Sequence, residues 1–176
     1  MAQADRDERL AERSGLILAA QSHAARLIAE AGTALRDGRL READERLRQA
    51  QKLRPFDAAA RFGRAAVDAQ RGQARSAEAR LTLLVADEPL HAEAWNLLGV
   101  LLARRGDVAG ARAAFDRALR ADPFYPEALV NAGRVALGAG DRRSAEAMQA
   151  RLRKLGAWGA LPEEASLDAA LRGAER

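Results

Sequence analysis

The stretch Ala92 to Tyr125 reads AEAWNLLGVLLARRGDVAGARAAFDRALRADPFY, and its punctuation decides the fold. Apolar residues recur at Trp95, Leu98 and Leu102 and again at Ala111, Phe115 and Ala118, a three-to-four-residue step that predicts two amphipathic helices. Gly106 ends the first helix, because a left-handed cap costs Gly least, and Asp107 can accept from the free N–H groups of the second. Pro123 cannot continue a helix interior, so Ala121 and Asp122 close the unit and Pro126 opens the next. Gly99 and Ala111 are small where the paired helices approach, with Trp95, Leu98, Leu102, Phe115 and Leu119 filling the space around them.

Working outward, the same punctuation repeats. Gly38, Gly72, Gly106 and Gly140 are separated by 72−38, 106−72 and 140−106, each 34 residues. Ala43, Ala77, Ala111 and Ala145 keep the step, as do Pro55, Pro89 and Pro123. With 14 Gly in 176 residues, a given four-row column is all Gly by chance about four times in 100,000, so the period is a property of the fold. It predicts stacked helical hairpins in four units: 24–57, 58–91, 92–125 and 126–159.

The third unit resembles the tetratricopeptide repeat family. Trp95, Leu98 and Gly99, then Ala111, Phe115 and Pro123, match its pattern, and only the Tyr of that pattern is replaced, by Leu102. The resemblance implies an all-α fold: a right-handed superhelical α-solenoid of four tetratricopeptide helix-turn-helix hairpins. The N-terminal extension, 1–23, is expected to be a partly helical cap, and the C-terminal segment, 160–176, a capping helix and tail, because repeat arrays need covered ends. Glu163 to Arg172 carries that capping helix, with Leu167, Ala170 and Leu171 at helical spacing.

The remaining units depart from the third. The first keeps Leu27, Ala31, Leu35, Leu47 and Ala50 but has no Trp. The second has Arg61 and Arg64 where the third has Trp95 and Leu98, which predicts a weakened or shifted helix. The fourth is degenerate: Gln149 replaces Phe115, as expected near an end that packs against less. Trp158 is expected to seal the last hairpin against the cap.

Formal charge is +4, from 29 basic and 25 acidic residues interleaved along the helices, which reads as a solvated face with local pairing. Nucleic-acid binding through Arg36, Arg39, Arg41, Arg71 and Arg75 lacks stacking aromatics and a motif, so composition argues against it. The absence of Cys excludes disulfides and thiolate chemistry. His23 and His91 lack metal-ligand spacing, and Ser14, Ser22, Ser76, Ser144 and Ser166 are explained by capping. No nucleophile elbow or phosphate loop is present, so no enzyme, cofactor or metal is expected. The apolar run Leu16 to Ala20 is too short for a membrane span or normal signal, so no membrane insertion is expected. A cytoplasmic location is the default, with the periplasm as the alternative had a signal been removed.

The family resemblance implies protein or peptide binding along the first helices of successive hairpins, which line a concave groove. In this register the groove residues are Ile28, Leu35, Phe62, Asn96, Val100, Asn131, Arg134 and Leu137. The apolar members suit a peptide or partner helix, Asn96 and Asn131 a peptide backbone or ordinary inter-helix hydrogen bonding, and Arg134 an acidic group. The C-terminal-carboxylate clamp of one family subtype is not reproduced, because Ile28, Gly32, Phe62 and Ala66 stand where it needs basic residues and Asn. The expected role is an adaptor or scaffold in a bacterial multiprotein assembly, as monomer or homodimer. Alternatives are a self-assembling structural protein, or a relative of the secretion chaperones and pilus-assembly accessory proteins that the compact size and third repeat resemble.

Overall fold

The computed structural model describes residues 2–156 and 162–174, the side chains of 2–12 and Glu164 excepted. The described residues form nine helices and no strand: α1 (Ala2–Arg36), α2 (Leu40–Leu53), α3 (Ala58–Gln70), α4 (Ala74–Asp87), α5 (Ala92–Arg104), α6 (Val108–Ala121), α7 (Pro126–Gly138), α8 (Arg142–Leu155) and α9 (Pro162–Gly173). Two compact units divide within α4, at Met1–Arg80 and Leu81–Arg176.

The turns follow from the glycines. Gly38, Gly72, Gly106 and Gly140 have φ of 72°, 76°, 86° and 75°, and no non-Gly described residue has positive φ. A side chain there would crowd the following carbonyl, so only Gly takes this conformation routinely. Each turn closes identically. The amide after the glycine bonds five residues back (Arg39 N to Ala34 O, 2.8 Å; Gln73 N to Asp68 O, 2.9 Å; Asp107 N to Leu102 O, 3.0 Å; Asp141 N to Ala136 O, 2.8 Å). The glycine's own N–H bonds three back, completing a Schellman motif that satisfies carbonyls the helix leaves open. Asp57, Asp107 and Asp141 then cap α3, α6 and α8 by accepting from Ala60, Gly110 and Ser144 N–H. His91 Nδ1 does the same for α5, from Ala94 N–H at 3.3 Å.

In the first unit, α1 packs on α2 and both on α3 around Leu27, Ala31, Ala34, Ala43, Leu47, Ala50, Ala60 and Val67. Among the described side chains of α1, the buried stripe starts at Ala24. N-terminal to it the 35-residue helix exposes Leu16, Ile17 and Leu18. Most of the charge is expected on a solvated face with local pairing; two carboxylates depart from that face. Asp44 and Asp68 are buried, 7% and 6% exposed. Arg48 and Arg71 donate to Asp44 Oδ2 at 3.0 and 3.1 Å, and Ser76 and Arg80 donate to Asp68 Oδ2 at 2.5 and 2.8 Å. Asp68 stands one period before Leu102 (102−68 = 34), so the second hairpin fills an apolar column with a partnered carboxylate.

In the second unit, Phe115 lies buried over Gly99. A Cβ on Gly99 would come within 2.6 Å of the Phe115 ring, which is why this close contact carries Gly. The unit's core continues through Leu119, Leu129, Leu152, Leu167 and Leu171. α9 packs on α7 and α8, so the fourth hairpin is covered. Gln149 is accordingly not a residue of a poorly packed end: it is buried, and its Nε2 donates to Asp168 Oδ1 at 2.6 Å. Gly133 gives Leu167 its room, since a Cβ there would lie 2.7 Å from the Leu167 side chain. The expected sealing role of Trp158 falls outside the described residues.

Candidate partner-binding face

The sequence-predicted site residues sit on first helices, and each unit presents its own set. In the first unit, Ile28 and Leu35 on α1 are half-buried against the Leu27–Ala31–Leu47 core, and Phe62 on α3 is half-buried. In the second, Asn96 and Val100 lie on α5 and Asn131, Arg134 and Leu137 on α7; all are half-buried except Arg134, which is exposed.

The structure cross-links the second set. Asn131 Nδ2 on α7 donates to Asn96 Oδ1 on α5 at 3.0 Å, so the two amides satisfy each other between adjacent first helices. Asn96 also hydrogen-bonds Tyr125, the residue before α7. Burial, reinforced by the negative charges of Glu127 and Glu93, pushes the Tyr125 phenol up to about 12, so it stays protonated. Arg134 donates to Ser166 Oγ on α9 at 2.7 Å rather than standing ready for a partner's acid. Leu137, Trp95 and Tyr125 pack their apolar bodies on the unit's core.

Ser166 thus belongs to this face, and its reading as a capping residue is corrected; Ser14 and Ser22 lie inside α1, and Ser76 serves Asp68. Ser144 does pair with the Asp141 cap, at 2.7 Å through its hydroxyl. Between α7 and α9 lies an open cleft of about 320 Å³ lined by Glu127, Val130, Asn131, Pro162, Glu163 and Ser166. Sequence reasoning missed most of these, because the step of 34 carries Arg134 to Asp168 and not to Ser166 (134+34 = 168). The acidic residue in the first turn of α7, Glu127, and Pro162 at the head of α9 were the available signals.

No group of three or more potential metal ligands occurs among the described residues, and no helix among them is long and apolar enough to cross a membrane. The profile of the tetratricopeptide repeat family matches residues 65–126. Over those residues, about a third of the chain, the sequence is that of tetratricopeptide repeats. A comparison with curated proteins finds no match. Among solved structures, a thermophilic tetratricopeptide repeat protein of Thermus thermophilus aligns at a TM-score of 0.70 and 23% identity, over 84% of this chain and 80% of that one. MamA of Desulfovibrio magneticus RS-1, residues 41 to the end, aligns at 0.61 and 22%, over 75% of each chain. The first repeat domain of Spaghetti (RPAP3), solved with the HSP90 peptide SRMEEVD, aligns at 0.60 and 18%, over 68% of this chain and 94% of that one. At these identities the likeness is one of fold: an all-α solenoid of tetratricopeptide hairpins.

Proposed function

We propose that this tetratricopeptide repeat protein is a non-catalytic interaction module that holds a peptide or partner helix on its first-helix face. The repeats 24–57, 58–91, 92–125 and 126–159 form its scaffold, and its role is that of an adaptor or scaffold in a multiprotein assembly, by default cytoplasmic. The observation that carries this reading is the α5–α7–α9 face. It joins the paired amides of Asn96 and Asn131, the Arg134–Ser166 bond and the cleft over Val130 on three packed helices. Recognition by a groove with apolar anchors and positioned amides is a standard use of such a surface. The Spaghetti domain, whose fold is similar, was solved with a peptide bound.

The test is selection of linear peptides from a random display library against the full chain, followed by calorimetric titration of the best binder. Asn96→Ala with Arg134→Ala is expected to weaken binding at least about tenfold, the loss of one to two interface contacts of about 1 kcal/mol or more, while the circular dichroism spectrum stays unchanged. Unchanged affinity sinks the assignment of this face.

A second reading, self-association, is favoured by one observation: Leu16, Ile17 and Leu18 stand 72%, 57% and 63% exposed on one stretch of α1. Exposed apolar side chains offer area that a second copy could bury. A sedimentation mass that stays monomeric at high concentration removes it.

A further inference from the structure

The cleft between α7 and α9 differs in charge from what Arg134 suggests in the sequence. Val130 and Pro162 give it apolar lining, Asn131 and Ser166 are tied to Asn96 and Arg134, and Glu127 and Glu163 bring two carboxylates to the same space. Neither carboxylate is paired with a cation among the described residues. The neighbouring guanidinium, Arg134, is held by Ser166. Each Glu is the second residue of its helix, a place where the helix dipole favours a negative side chain. The dipole accounts for their presence at helix starts, but not for two first turns opening on one cleft with aliphatic lining. Tyr125 senses the same negative field from Glu127, with Glu93 adding to it from the first turn of α5.

We propose that this cleft seats a lysine or arginine side chain of the bound partner, its aliphatic stem along Val130 and Pro162 and its cation between Glu127 and Glu163. Long cationic side chains bury their methylene stems on apolar surface while the head meets charge, which is the combination of groups this lining offers. A volume of about 320 Å³ admits one such side chain and leaves room for water around its head. The inference rests on the first-helix face being the partner-binding face, and it adds the polarity of the ligand: basic at this position, where an acidic residue would be repelled.

The experiment uses the full chain and the peptides selected against it. The expected result is a Lys or Arg at a fixed position in the binders, and at least about a tenfold loss when that residue becomes norleucine, which keeps the stem and deletes the charge. Glu127→Gln with Glu163→Gln is expected to abolish the difference between the lysine and norleucine peptides, and raised salt to narrow it. Peptides that lose affinity with Asn96→Ala and Arg134→Ala but show no fixed basic residue, or the same lysine preference in the double Gln variant, overturn the basic seat and leave the binding face standing. Peptides indifferent to all four substitutions, or no selected peptide at all, overturn both.

Discussion

Asp141 does three things at one position: it caps α8, accepts from the Ser144 hydroxyl at 2.7 Å, and pairs with Arg112 on α6. The Ser144 hydroxyl, then its backbone N–H, then Arg112 hold the carboxyl down at about 2, against an ordinary 3.8. A carboxyl depressed in the folded state contributes stability that is complete above its unfolded pKa and is lost as pH falls through the folded one. Asp141→Asn keeps a capping acceptor and does not titrate. The melting-temperature gap between wild type and this variant is therefore expected to be widest above about pH 5 and to close toward pH 2. A gap independent of pH, measured by thermal melts across that range, contradicts the assignment. Asp68 obeys the same sign by a different balance. Burial, the largest single influence, raises its pKa, but the hydrogen bonds from Ser76 and Arg80 together with the charges of Arg80 and Arg64 make the net shift downward.

At the scale of the element, α9 is the helix whose loss the fold would feel most locally. Leu167 is fully buried against Gly133, while Asp168 receives Gln149 at 2.6 Å and Arg153 at 3.0 Å from α8. Leu167→Ala removes buried methyl groups beside a backbone that cannot close the gap, and is expected to cost about 2–5 kcal/mol in urea unfolding. A change below about 1 kcal/mol, the range of a surface substitution, would mean that α9 is not part of the core. The helices were legible in the sequence because their ends are written in Gly, Asp and Pro, residues whose backbone chemistry acts locally. What α9 covers was not. Gln149 in an apolar column suggested a loose end, because its partner Asp168 lies 19 residues further along, beyond what local helical spacing connects. The Asp44 and Asp68 clusters were hidden for the same reason: an Asp surrounded by arginines looks the same in sequence whether solvated or buried.

At the scale of the molecule, packing runs between neighbouring helices, as expected of a repeat protein whose stability is a sum of hairpins and their interfaces. Leu167→Ala is therefore expected to speed amide exchange in α7, α8 and α9 and to leave α1 to α3 as they were. Equal acceleration in α1 to α3, read by hydrogen-exchange mass spectrometry, would contradict that local character. The first-helix register was readable from the glycine period, and it carried Asn96 and Asn131 to one face. The acidic cleft beside them was not readable, because it depends on where α9 docks.

The hydrogen bond between those two amides has one more consequence. Asn96, held by Tyr125 on one side and Asn131 on the other, has its rotamer fixed before any partner arrives. Freezing a free side chain at an interface typically costs about 0.5–1.5 kcal/mol of conformational entropy. For these two amides that ordering is already complete on folding, so a ligand meets them in place.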